Sequence, residues 1–250
     1  MIWQGRSTGD WAEAWEVPLV EAYAHIGSTN DRALELASAS GGHAFSVVIA
    51  DEQTAGRGRR GARWHSPPGS GLWMSVVLPG GQVAPHASLL VGLAVAEGIE
   101  DAAASVAVGI KWPNDLMIRG GKVGGILCES GGGATVAGIG INLRSLAMTP
   151  ALGLSYRATS LEAESGMSLP ASELATSIVR RLKVRGARGL ALDASAVADL
   201  SRRDALLGIP VETEEHGRGI ARGIDRSGAL VLEWSDGSRV AVVAGSVRFQ

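Results

Sequence analysis

The stretch Gln53-Thr54-Ala55-Gly56-Arg57-Gly58-Arg59-Arg60-Gly61-Ala62-Arg63-Trp64 sets three glycines among four arginines. It directly follows a run of strand length, Phe45-Ser46-Val47-Val48-Ile49-Ala50. Glycines let backbone N–H groups approach an anionic ligand, and guanidinium groups make paired hydrogen bonds to carboxylate or phosphate. Gly56-x-Gly58-x-x-Gly61 has the form of a dinucleotide fingerprint, but the context is wrong. The chain runs on into Trp64-His65-Ser66-Pro67-Pro68-Gly69 where a helix should start, and no acidic residue follows about twenty positions later. A Rossmann domain is set aside. Two readings of the loop stay open: one that orders around an anion, and a solvated basic loop that touches nucleic acid.

Only three basic residues are lysines, and two of them fall in the next dense motifs. Gly109-Ile110-Lys111-Trp112-Pro113-Asn114-Asp115-Leu116 places a cation, an amide and a carboxylate at a strand end, with turn chemistry in Asn114-Asp115 and an extended Trp112 before proline. Read alone, it is also compatible with a plain hairpin turn carrying a packed tryptophan. Gly121-Lys122-Val123-Gly124-Gly125-Ile126-Leu127-Cys128-Glu129 is not a phosphate-binding Walker loop, because no hydroxyl residue follows Lys122. Glycines inside such a strand mean close backbone approach by a ligand or a neighbouring strand. Gly138-Ile139-Gly140-Ile141-Asn142-Leu143 repeats the small-residue theme and ends on an amide.

Around these motifs the sequence alternates helices and strands. Ser28-Thr29-Asn30 precedes an alanine-leucine helix, Leu89 to Ala104 predicts a buried helix, and Leu174, Ile178 and Leu182 share one helix face. From about Arg203, short alternating segments at 209–214, 217–224, 229–234 and 239–249 predict a small appended β-barrel. With 250 residues, 46% hydrophobic and 19% charged, the chain has the composition of a globular protein with a sizeable core. A formal net charge of −2 gives no global positive field for nucleic acid or an acidic membrane. One cysteine excludes internal disulfides and multi-cysteine metal sites. No apolar run reaches the roughly 20 residues of a membrane helix, and the first residues do not read as a signal peptide. The five histidines, His25, His43, His65, His86 and His216, show no metal-ligand spacing, and Ser75 has no nucleophile elbow around it.

Taken together, the motifs resemble the biotin protein ligases. The match covers Ser28-Thr29-Asn30, Gln53 to Trp64, Lys111 to Leu116, Lys122 to Leu127 and Gly138 to Asn142, in the family's order. Gly223 to Leu230 is similar to the family's terminal barrel. The resemblance implies an α+β fold in which a central mixed β-sheet is flanked by helices, as in class II synthetases. A catalytic domain would span residues 1–203, and an SH3-like barrel residues 204–250.

By the same resemblance, biotin would sit against Ser28, Thr29, Asn30 and Gln53, with Gly56, Arg57, Gly58 and Arg59 closing over its tail. Lys122 would reach the reacting carboxylate and the α-phosphate, while Gly124 and Gly125 leave room for the valerate chain. Arg59, Trp64, Lys111, Asn114, Asp115 and Asn142 would serve the adenylate. Lys122, Arg59, Lys111 and Asp115 form the catalytic set, Asp115 being assigned the orientation or deprotonation of the acceptor lysine.

The implied reaction consumes ATP and biotin with Mg2+, without a protein-held metal, and passes biotin to the biotin carboxyl carrier domain of an acyl-CoA carboxylase. The implied enzyme is cytoplasmic, a monomer or weak homodimer, and binds no membrane. The 27 residues before Ser28 are too few for the winged helix of some members, so the expectation is a monofunctional ligase that binds no DNA. One departure stands out: Ala62 occupies a position where the family often has arginine, with Arg63 one place on. The competing readings are a lipoate or octanoate ligase or transferase of the same fold, and a non-enzymatic nucleic-acid-binding protein.

Overall fold

The structure is a computed structural model that describes residues 1–39, 44–81, 83–145, 157–187, 189 and 191–249; His43 lies outside them. It opens with two short strands, β1 (Ile2–Trp3) and β2 (Arg6–Ser7), and helix α1 (Thr8–Trp15). Ser7 and Asp10 close a reciprocal capping box at the start of α1. Trp3, Trp11 and Trp15 pack edge-on or tilted with ring centres 5.1–6.1 Å apart. The Trp15 indole N–H donates to the Thr176 hydroxyl at 2.9 Å, which pins this segment to the domain.

There follow β3 (Val20–Ile26), α2 (Thr29–Ser38), β4 (Val47–Gln53), β5 (Gly71–Leu78), α3 (Ala87–Ala102), β6 (Gly109–Lys111), β7 (Asp115–Ile118), β8 (Gly121–Gly131) and β9 (Ala134–Asn142). The seven strands form one sheet in the order β3-β4-β5-β9-β8-β7-β6. Only β3 and β4 run parallel, so the sheet is mixed. Helices α4 (Leu161–Ser165), α5 (Ala171–Gly186) and α6 (Ala194–Arg203) complete this part.

The two faces of the sheet follow from side-chain alternation along each strand. Val47, Ile49, Val76, Leu78, Ala137 and Ile139 bury into the main core with α3 and α5. Gly98 lets these helices touch, since a Cβ there would lie 2.9 Å from Ile178 Cα. The intervening Val48, Val77 and Val136 face the other way, onto Ala33 and Ala37 of α2. Ser75 and Gly138 are register partners between β5 and β9 and share the α2 face, as does Gly140 opposite Trp73. The functional residues gather on that face.

The C-terminal part is a five-stranded antiparallel sheet, barrel-like in arrangement: β10 (Pro210–Thr213), β11 (Gly217–Ile224), β12 (Leu230–Glu233), β13 (Arg239–Val242) and β14 (Val247–Phe249), ordered β13-β12-β11-β10-β14. The sequence suggests one alternating segment over 239–249. The structure breaks it in two, because β13 pairs with β12 whereas β14 crosses to β10. Gly245, with φ +126°, supplies the left-handed backbone within this crossing.

Candidate active site

A cavity of about 540 Å3 opens on the α2 face of the large sheet, within the size range of small-molecule sites. One end is an interlocked polar floor. The parallel pairing of β3 with β4 puts Gln53 beside Ile26, so the chain leaving β3 delivers Ser28, Thr29 and Asn30 next to the Gln53 amide. All three are buried. Gln53 Oε1 accepts the Thr29 N–H at 2.9 Å and lies 3.1 Å from Thr29 Oγ1, while Gln53 Nε2 donates to Ser66 Oγ at 2.8 Å. Ser75 Oγ reaches Thr29 Oγ1 at 2.7 Å and Asn30 Oδ1 at 2.6 Å. Asn30 Nδ2 donates to Glu129 Oε2 at 2.7 Å and to the Leu127 carbonyl at 3.3 Å. Gly138 leaves room for this amide, since a Cβ there would sit 2.3 Å from Asn30 Oδ1.

The arginine loop folds as a tight hairpin over the cavity. Gly58 N–H donates to Ala62 O, Trp64 N–H donates to Gly56 O, and Arg59–Gly61 make a single 3-10 turn. A Cβ at Gly56 would meet Trp64 O at 2.5 Å, so that glycine serves the hairpin itself and does not line the cavity. Trp64 lies across two glycines: a Cβ at Gly140 or Gly125 would come within 2.5 or 3.2 Å of its ring. Its Nε1 is buried without a hydrogen-bond partner, a rare state for an indole donor. Arg57 is anchored by Asp31 and Glu129, and Arg60 by Glu214 at 2.6 Å. Arg59 is half-buried, and burial pulls its guanidinium below the ordinary arginine value. It reaches Asn114 Oδ1 at 3.4 Å and the Gly245 carbonyl at 3.3 Å.

At the other end stands a charged trio. Lys122 Nζ is 2.5 Å from Asp115 Oδ1 and 5.2 Å from the Trp64 ring centre. Lys111 Nζ lies 3.7 Å from Asp115 Oδ2 and donates to the Val247 carbonyl at 2.8 Å. Two ammoniums thus share one buried carboxylate, a net positive cluster aimed at an anion. Burial lowers the Lys111 pKa, against the pull of Asp115 in the opposite direction. The Lys111–Asn114 turn, with a cis Trp112–Pro113 bond, is held by Asn114 Nδ2 donating to Ile126 O. Asn142 Nδ2 donates to Thr159 O at 3.0 Å, and Asn142 lines the wall of the cavity.

The structure therefore brings Ser28, Thr29, Asn30, Gln53, Arg57, Gly58, Arg59, Trp64, Asn114, Asp115, Lys122, Gly125 and Asn142 to one cavity. Three expected residues lie outside the lining of the cavity. Lys111 stands behind Asp115 and bonds the C-terminal sheet, so it steadies the site without lining it. Gly56 packs the hairpin. At Gly124 the absent side chain serves the sheet, because a Cβ there would strike Ile141 Cδ1 and Gly140 O. Sequence reasoning missed Ser75, Glu129, Gly138, Gly140 and the Gly245-Ser246 edge. The alternation Gly138-x-Gly140 was the available signal for one face of a strand held open. Among the described residues, no three His, Cys, Asp or Glu side chains are placed to hold a metal ion.

Residues 23–145 match the model of the biotin/lipoate A/B protein ligase family, and residues 207–249 match the biotin protein ligase C-terminal domain. The chain is 36% identical over 242 residues to the biotin--[acetyl-CoA-carboxylase] ligase of Paracoccus denitrificans, covering 88% of this chain and 97% of that protein. It is also 36% identical to the bifunctional ligase/repressor BirA of Bacillus spizizenii, covering 85% of this chain and 68% of that one. The structure of the Aquifex aeolicus biotin protein ligase in complex with biotin and ATP superposes with a TM-score of 0.77 at 26% identity, over 92% of this chain and 99% of that one. With both of its parts matched and a curated ligase covered almost end to end, this chain belongs to the biotin protein ligases.

Proposed function

We propose that the chain joins biotin to ATP, giving biotinyl-5′-AMP and pyrophosphate, and then transfers the biotinyl group to a lysine of a biotin carboxyl carrier domain of an acyl-CoA carboxylase. The observation that carries this reading is a single cavity with amide and hydroxyl groups at one end and the Lys122–Asp115 pair at the other. A cyclic urea needs hydrogen-bond partners at its buried end, and Thr29, Asn30 and Gln53 line that end, with Ser75 bonded behind them. A lipoyl or octanoyl chain offers these groups neither donor nor acceptor, so it gains nothing from a floor built of amides and hydroxyls. The nucleic-acid reading loses its support at Arg57 and Arg60, whose charges are already met by carboxylates.

In the first half-reaction a carboxylate attacks an α-phosphorus shielded by negative charge. Lys122 neutralises both partners and Arg59 the departing phosphates, a preorganised electrostatic contribution. The hairpin over the cavity keeps water from the mixed anhydride. In the second, the lysine amine attacks the acyl carbon and AMP departs, while Asp115 accepts the hydrogen bond and then the proton of that amine once Lys122 has turned to the adenylate. Asn114 and Asn142 hold the nucleotide. Magnesium enters as the MgATP substrate: Asp115 is engaged by two lysines, so the described residues offer no cage of their own.

Residues 1–203 and 204–250 work as a catalytic unit and a C-terminal unit whose Gly245-Ser246 edge completes the cavity. No helix among the described residues is long and apolar enough to cross a membrane. The reading places the enzyme in the cytoplasm as a monomer or weak homodimer.

The test incubates the protein with biotin, ATP and magnesium, with and without an apo carrier domain. Biotin-dependent pyrophosphate and a carrier heavier by one biotinyl group are expected. Absence of any biotin-dependent pyrophosphate, with activity on lipoate or octanoate instead, refutes the proposal. Gly138→Ala is expected to push its methyl into Asn30 and weaken biotin binding by at least about tenfold. Titration calorimetry against biotin decides, and unchanged affinity would show that Asn30 does not line the ligand.

A further inference from the structure

Glu129 has no place in the chemistry above, yet it joins two parts of the site. One oxygen, Oε2, accepts Arg57 of the hairpin at 2.7 Å and Asn30 of the cavity floor at 2.7 Å. From Asn30 the hydrogen bonds continue to Ser75 and Thr29, whose backbone N–H donates to Gln53, and they end on Ser66, beyond the far side of the hairpin. The two ends of the loop are thus connected underneath the cavity.

The floor also has a direction. Asn30 Nδ2 spends its hydrogens on Glu129 and Leu127 O, so Asn30 Oδ1 faces Ser75 purely as an acceptor. Ser75 has a single hydroxyl proton, and Asn30 Oδ1 at 2.6 Å requires it. The Thr29 hydroxyl must then donate to Ser75, and Gln53 Oε1 is held by the Thr29 backbone N–H instead. A carboxylate at position 129 fixes that polarity, because it can only accept.

We propose that Glu129 is a positioning residue that couples recognition of the ligand ring to closure of the hairpin: it orients the Asn30 amide and anchors Arg57 with the same oxygen. This rests on the biotin reading for the identity of the ligand, but not for the anchoring of the loop. Asp31 provides the control. Its half-exposed carboxylate holds the other side of Arg57, outside the hydrogen bonds of the Asn30 side chain.

The experiment is limited trypsin digestion of the full chain, followed by mass mapping of cuts after Arg57, Arg59, Arg60 and Arg63. Without ligand, Glu129→Gln and Asp31→Asn should both raise loop cleavage by about fivefold or more, as expected for loss of a charged anchor. With biotin added, the concentration giving half-protection should rise about tenfold in Glu129→Gln and clearly less in Asp31→Asn. Thermal midpoints are recorded for both, and Asp31→Asn alone carries the anchoring test if Glu129→Gln does not fold.

Wild-type cleavage rates without ligand in the folded variants overturn the anchoring. Equal shifts in half-protection for the two variants overturn the coupling to Asn30. A wild-type loop that biotin fails to protect defeats the biotin reading, whereas the ligand-free arm still judges Glu129.

Discussion

Lys122→Met lowers the rate of biotin-dependent pyrophosphate release by roughly 10²–10³-fold, the loss typical of removing one preorganised donor from a developing charge. Methionine keeps an apolar stem beside Trp64 but removes the ammonium that lies 5.2 Å from that ring and 2.5 Å from Asp115. The polar floor that would hold the biotin ring is untouched, so the effect should fall on kcat and leave the KM for biotin within a few-fold. Pyrophosphate release at saturating and limiting biotin separates the two. A variant that changes only KM would mean that Lys122 binds the substrate without assisting its activation.

Asp115→Asn divides the two half-reactions. Given preformed biotinyl-5′-AMP, the variant should transfer to the carrier about 10²-fold more slowly, in the range of a lost general base. Adenylate formation, which depends on the lysines, should fall much less. Single-turnover transfer decides, and a wild-type rate removes Asp115 from the second step.

The same change costs stability. It leaves Lys111 and Lys122 buried without their shared counter-charge, a loss of about 3 kcal/mol. Lys111 already titrates below its ordinary value through burial, and the variant loses the opposing pull of Asp115. A lysine whose folded pKa lies below its unfolded one binds fewer protons when folded. Stability therefore rises with pH between the two values. The deficit of the variant should shrink as pH climbs through the lowered Lys111 value towards 10.5, and unfolding measured across that window tests the sign.

The motif glycines and charges were legible in the sequence because each carries its own chemistry. Arg57, Lys122 and Asp115 announce an anion site wherever they lie, and strand alternation places most of the sheet. What could not be read was the depth of each residue relative to its neighbours. Lys111 and Lys122 look equivalent as letters, yet one points at the C-terminal sheet and the other into the cavity. Gly124 and Gly125 are adjacent, and alternation alone sends one into the sheet packing and the other beneath Trp64. Ser75 lacks a nucleophile's sequence setting, and a lone hydroxyl in an apolar strand instead marks a partner packed against it, here Thr29 and Asn30. Ala62 is settled in one respect: its carbonyl and N–H close the hairpin, so this position contributes backbone geometry.

The Lys111 ammonium rests on the Val247 carbonyl, and Arg59 on that of Gly245. Both carbonyls lie far along the chain from the side chains they receive, 136 residues on from Lys111 and 186 from Arg59. Residues 1–203 folded alone therefore lack the rear support of the Lys111–Asp115–Lys122 cluster. Assembly of the charged cluster is thereby coupled to folding of the C-terminal sheet, and it is complete only when β14 takes its place beside β10.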